Sequence, residues 1–173
     1  NAVYYSSPKQ VGALTNWLKM SGGYGHIIAI KTDGTLWTWG YNYYGQLGLG
    51  NRTYYSSPKQ VGALTNWSSI SGGSNHSLAI KTDGTLWSWG YNLYGQLGFG
   101  NTTNYSSPKQ VGALTNWLSI ANGYSNTIAI KTDGTLWTWG YNYYGQLGLG
   151  NRTYYSSPKR VGALTNWSKI SKE

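Results

Sequence analysis

The chain has 173 residues, enough for a core that needs no staples, and only 10% of them are charged, while Gly (25), Tyr (17) and Trp (10) are abundant. Cys is absent, which excludes a disulfide framework, thiolate metal ligands and a Cys nucleophile. The formal charge of +9 comes from lysines that repeat along the chain, so it reads as solvated surface and not as a nucleic-acid stripe.

In chain order, residues 8–11 (Pro-Lys-Gln-Val) read as a weak strand, confined to a sheet edge by Pro8. Residues 17–21 (Trp-Leu-Lys-Met-Ser) read as a second strand, ended by Gly22 and Gly23. Residues 28–32 and 35–39 flank Asp33-Gly34 and predict a hairpin with a two-residue loop. Period-two geometry puts Ile28 and Ile30 on one face of that hairpin, and likewise Trp37 and Trp39. The longest apolar runs, such as 27–30, are strand-sized, so no membrane span is expected.

The same series then recurs at a spacing of fifty. SSPKQVGALTNW occupies 6–17, 56–67 and 106–117, with SSPKRVGALTNW at 156–167, and AIKTDGTLW occupies 29–37, 79–87 and 129–137. The chain is one tandem-repeat region, 1–173, with units 1–50, 51–100 and 101–150 and a partial unit 151–173. Four short antiparallel strands per fifty residues make one blade of a β-propeller, so the expected fold is all-β.

Gly22-Gly23, His26, Ala29, Asp33-Gly34, Trp39-Gly40, Asn42, the run 45–50 (GQLGLG), Pro58 and Val61 together resemble the regulator of chromosome condensation repeat family. The resemblance covers the whole chain. It implies a β-propeller, usually seven-bladed, that works mainly as a protein-binding platform. Family order implies an outer strand, three complete blades running from channel to rim, and a leftover inner strand at 167–171. Two departures stand out: Asn126 replaces His26 and His76, and Lys172-Glu173 replaces the Gly-Gly of another blade.

Catalytic chemistry is not expected. The acids are Asp33, Asp83, Asp133 and Glu173, and each Asp sits in a hairpin turn. His26 and His76 read as buried imidazoles that hold a neighbouring loop, not as a general base or metal ligands. The glycines of GQLGLG do not have dinucleotide spacing and open no helix, so they read as turn residues between blades. No cofactor and no metal are expected.

Binding is better supported. Tyr41, Tyr43 and Tyr44 follow the third strand at one rim, with copies at Tyr91, Leu93 and Tyr94 and at Tyr141, Tyr143 and Tyr144. Tyr4 and Tyr5, with their copies, add further rings. Such residues suit protein interfaces and also stack on sugars. Units one and two differ at twelve of fifty positions, seven of them between 18 and 28. That makes Lys19, Tyr24 and Tyr124 channel-mouth candidates, whether by drift or by tuning for a partner.

The leading expectation is a non-enzymatic scaffold for protein binding or self-assembly. The alternatives are a glycan-binding surface module and a chromatin or nucleotide-exchange factor. Because three blades cannot close a ring of four to eight, self-association through the terminal segments is expected, as a six-bladed homodimer or a head-to-tail array, the alternative being a piece of a longer propeller. The first residue, Asn1, is read as a sign of processing, and with the Cys-free, Asn/Thr/Tyr/Gly-rich composition it gives an expected extracellular or cell-surface location.

Overall fold

The computed structural model describes residues 6–13 and 15–170. Strands β1 (Trp17–Gly22), β2 (His26–Lys31), β3 (Leu36–Gly40) and β4 (Tyr55–Gln60) form the first antiparallel sheet. The second holds β5 (Trp67–Gly72), β6 (His76–Lys81), β7 (Leu86–Gly90) and β8 (Tyr105–Gln110). The third holds β9 (Trp117–Asn122), β10 (Asn126–Lys131), β11 (Leu136–Gly140) and β12 (Tyr155–Arg160). Each sheet follows sequence order, as in a propeller blade. Pro58 lies in β4, the edge strand, where its missing N–H does not interrupt the interior of the sheet.

The core lies between the blades. On β6 the alternating side chains divide: Ala79 joins Ile28, Ile30 and Leu36 of blade 1, while Leu78 and Ile80 join Trp117, Ala129 and Trp139 of blade 3. Thus one face of each sheet carries Ile and Leu and the other carries Ala beneath two Trp rings, and the two faces interlock. Each fully buried aliphatic side chain contributes about 1.5–3 kcal/mol, and the share that comes from the neighbouring blade is lost to a blade standing alone.

Polar bonds fix the joints. Trp89 Nε1 donates to the Gln46 carbonyl at 2.9 Å, and Trp139 Nε1 repeats this to Gln96 at 2.9 Å. Gly50 N donates to Ser106 O at 2.8 Å, and Gly100 N to Ser156 O at 2.7 Å. Ser77 Oγ donates to Gln46 O at 2.8 Å, so at 2.9 Å it accepts from His26 Nε2. His76, Thr127 and Gln96 O repeat the relay, with a longer first contact of 3.4 Å. Both imidazoles are buried, as expected, but they bond a strand residue of the next blade, Ser77 in β6 and Thr127 in β10, and reach the neighbouring loop through it.

Two expectations need correction. The hairpin loop has three residues, not two: Lys31 N bonds Thr35 O at 3.1 Å and Gly34 N bonds Lys31 O at 2.9 Å. Only Gly34 takes a positive φ, +76°, and Asp33 instead accepts from Thr35 N and Thr35 Oγ1 at 3.0 and 2.6 Å. A type I turn closed by one left-handed glycine satisfies the carboxylate, which a two-residue loop would not do.

The terminal strands are the second correction. Residues 8–11 are exposed and form no strand, although the identical residues 58–61 contribute to β4 and its end. A β4-type strand pairs with a β3-type strand before it, and 8–11 has none. Residues 167–170 also form no strand, because no β2-type partner lies beside them. They still follow the inner-strand path: Trp167 N bonds Gly134 O at 3.2 Å, as Trp67 N bonds Gly34 O, and Ile170 N bonds Ser119 Oγ at 3.3 Å. Residue 171 lies outside the described residues.

Candidate functional site: a tyrosine-lined rim

Within each sheet the β1–β2 turn and the β3–β4 connection emerge at the same end, because neighbouring strands run oppositely. That end carries the tyrosines. The long β3–β4 connection is held by Asn42, which is fully buried: its Nδ2 donates to Asn51 O and Thr53 O at 3.1 and 2.9 Å, and its Oδ1 accepts from Leu47 N at 2.9 Å. Gln46 Oε1 accepts from Tyr44 N at 2.9 Å. Asn92 and Asn142 repeat the pattern, so these polar residues build the rim and the rings decorate it.

The rings form one ladder across three blades. Tyr41 lies 5.1 Å from Tyr54 and 6.5 Å from Tyr43, and Tyr43 lies 4.9 Å from Tyr44. Tyr44 crosses the first joint to Tyr91 at 4.5 Å, and Tyr91 meets Tyr94 at 6.2 Å. Tyr94 crosses the second joint to Tyr141 at 4.9 Å and also meets Tyr154 at 5.8 Å. Tyr143 and Tyr144 complete it, 5.0 Å apart. Tilted and edge-on geometries dominate, as ring quadrupoles favour. Tyr54 and Tyr154 are copies of Tyr4, which lies outside the described residues, as does Tyr5.

Burial pushes the phenols of Tyr41, Tyr91 and Tyr141 upward, helped by adjacent phenols: Tyr54 for Tyr41, Tyr94 for Tyr91, and Tyr154 for Tyr141. They therefore remain protonated donors at neutral pH. Tyr24 and Tyr124 sit in the β1–β2 and β9–β10 turns, 84% and 75% exposed, on the same end but nearer the axis. They flank a shallow opening of about 320 Å³ together with Gly73 and Ser74. Lys19 does not join them: its ammonium donates to Ser68 O at 2.6 Å, bridging β1 to β5 within the inner-strand layer.

The opposite end holds Asp33, Asp83 and Asp133. Trp37 Nε1 donates to Thr35 Oγ1 at 2.8 Å, and Thr35 donates on to Asp33. Those Thr35 bonds hold the Asp33 carboxyl below its usual range, and Thr85 and Thr135 do the same for Asp83 and Asp133. Lys31, Lys81 and Lys131 lie over Trp37, Trp87 and Trp137 at 3.5, 3.8 and 3.7 Å. Burial lowers the ammonium pKa of Lys81 and Lys131. The sequence reading missed this Lys–Trp–Thr–Asp chain, whose signal is the unvaried K-T-D-G-T-L-W of the three full units. Among the described residues, no three His, Asp or Glu come together as a metal site would require.

Three interlocked four-stranded blades with a loop-built rim define a section of a β-propeller. The sequence signature of the Regulator of chromosome condensation (RCC1) repeat matches residues 33–80, 83–130 and 133–172, and a second RCC1 signature matches 17–46, 67–96 and 117–146. The chain belongs to the RCC1-repeat family. It is similar to the ultraviolet-B receptor UVR8 of Arabidopsis thaliana, 44% identical over 46 residues, which are 25% of this chain and 10% of that protein. Among solved structures it is similar to Prp20p of Saccharomyces cerevisiae, at TM-score 0.79 and 24% identity, covering 87% of this chain and 39% of that one. Human WBSCR16 is similar at TM-score 0.78 and 23% identity, covering 89% and 40%. The chain thus spans well under half the length of these relatives.

Proposed function

We propose that this chain is a non-enzymatic protein-interaction scaffold whose docking surface is the tyrosine rim. The observation that carries the reading is the unbroken ring ladder from Tyr41 to Tyr144, held on loops that Asn42, Asn92 and Asn142 make rigid. Rigid aromatic rings give large contact area at low entropic cost. Prp20p is described as binding Gsp1p and histones, and yeast RCC1 as bound by Kap60, so protein binding is in keeping with the family. A chromatin or nucleotide-exchange role finds less support: Lys31, Lys81 and Lys131 are buried against tryptophans, and the exposed Lys59, Lys109 and Lys159 recur only one per blade.

The test is affinity capture with the 173-residue protein and with a Tyr43→Ser, Leu93→Ser, Tyr143→Ser variant, all three side chains being more than half exposed. The reading expects the captured set to lose specific members. An unchanged set removes it.

A second partner is another copy of the chain. The outward face of blade 3 offers the same surface as the inward-packed faces of blades 1 and 2: a Cβ on Gly145 would meet nothing within 4 Å, whereas on Gly45 it would meet Ser106 at 2.6 Å. Apolar faces of this kind seek cover. Light scattering of the 173-residue protein tests this; a monodisperse 19.1 kDa species refutes it. We further propose an extracellular or cell-surface location, on composition alone; a precursor without any export signal removes that proposal.

A further inference from the structure

The rim does more than present a ladder, because at the joint of blades 2 and 3 it folds into a cleft. This cleft has a volume of about 370 Å³ and is lined by Tyr94, Tyr124, Ser125, Tyr141, Tyr144 and Gln146. Its size is within the ~300–1,000 Å³ usual for small-ligand sites. Four rings wall it. Tyr94 and Tyr141 meet at 63° and Tyr141 and Tyr144 at 71°, so the rings form corners and not a flat shelf. Tyr124 and Tyr144, 75% and 78% exposed, stand at the entrance, and Ser125, 4% exposed, lies deep in it.

The lining holds no Lys, Arg, Asp or Glu. An anionic ligand would find no cation there. A cationic one would find π-faces but no carboxylate, on a protein of net charge +9. What the lining does offer is apolar ring faces edged by neutral donors and acceptors: phenol hydroxyls, the Ser125 hydroxyl and the Gln146 amide. A pyranose ring has the matching form, with C–H faces and a hydroxyl edge.

We propose that this cleft binds a neutral sugar ring, held by stacking on Tyr124, Tyr141 and Tyr144 with its hydroxyls at Ser125 and Gln146. Of the two joints between blades, the second alone has this fourth wall: at the first joint the equivalent residue is Ser74, 8% exposed, so Tyr124 converts a plain stretch of rim into a walled cleft. The proposal goes beyond the protein-scaffold reading and does not need it.

The experiment uses the 173-residue protein and a panel of neutral hexaoses (maltohexaose, cellohexaose, xylohexaose, mannohexaose and chitohexaose), with saturation-transfer NMR and titration calorimetry. At least one hexaose binds with a Kd of about 1 mM or tighter. Tyr124→Ser, which installs the residue unit two carries at this position, weakens it about tenfold. Tyr24→Ser leaves it unchanged, and circular dichroism confirms that both variants are folded. Binding of none of the hexaoses overturns the proposal. So does an unchanged affinity in Tyr124→Ser, or binding of tetramethylammonium in place of the sugars. Because the capture variant alters Tyr43, Leu93 and Tyr143, none of which lines the cleft, the two readings fail separately.

Discussion

At the joint between blades 1 and 2 the ring of Trp89 is wholly buried, its N–H on the Gln46 carbonyl and its edge against Gly48. Its copy Trp39, on the outward face of blade 1, is only partly buried. The same holds at the other side of the molecule, where Gln46 and Gln96 are fully buried and Gln146 is exposed. Identical residues thus have different environments, set by the neighbouring blade and not by their own unit. In such an array a residue's stability contribution belongs to the joint.

The largest test of this comparison is a pair of truncations. Trp89→Ala should cost about 3–5 kcal/mol in urea unfolding, as for other buried rings, and leave the Gln46 carbonyl with the Ser77 hydroxyl as its donor across the joint. Trp39→Ala should cost markedly less. Equal costs would show that burial against the next blade does not decide the matter.

Glycine offers a cleaner contrast. Gly48 and Gly148 both have positive φ, +73° and +68°, so an L-residue pays the same backbone strain of about 1–2 kcal/mol at either. A Cβ on Gly48, however, would lie 2.7 Å from the Trp89 ring nitrogen, while on Gly148 it meets only Val161, at 3.6 Å. Gly48→Ala should therefore lose a further ~1–3 kcal/mol through overpacking. Matching midpoints for the two variants would place the cost in the backbone alone.

The smallest effect is alkaline. The phenols of Tyr41, Tyr91 and Tyr141 are raised above their usual value of 10.0, chiefly by burial. Their contribution is whole below the unfolded-state pKa and is lost as pH rises through the folded-state values. Melting temperature should fall above about pH 10, and Tyr91→Phe, which removes the ionisable group at the first joint, should flatten that fall. A slope identical to wild type would show that the loss arises elsewhere.

Most of the fold is legible in the sequence because the strands advertise themselves locally. Alternation put Ile28 with Ile30 on one face and Trp37 with Trp39 on one face; both pairings hold, and the register adds that the two faces are opposite. What failed was non-local. Residues 8–11 and 58–61 are the same four letters, yet only the second set finds a β3-type partner. The Asp33-Gly34 pair marked a turn correctly but could not say which residue would adopt the left-handed conformation, because the bonds from Thr35 decide that. The tyrosine rim was visible as a cluster. The cleft was not, because its walls come from two blades and depend on Tyr124 and Ser125 standing where unit two has Ser74 and Asn75. Lys19 was grouped with Tyr24 by sequence proximity, but Lys19 lies within strand β1 and bonds across to Ser68, whereas Tyr24 lies in the turn beyond the strand's end.

The relay at the joints also has a mechanical consequence. His26 with Ser77, and His76 with Thr127, latch one blade to the next through the carbonyls of Gln46 and Gln96. At the two outward faces both halves of the latch are changed: blade 3 presents Asn126 in place of His, and blade 1 presents Ile27 in place of the hydroxyl. A seam between copies of the chain would therefore close without this latch. Under dilution or tension an assembly would part at that seam first, while the seams within each chain stay shut, so its subunits would come away as folded three-blade pieces.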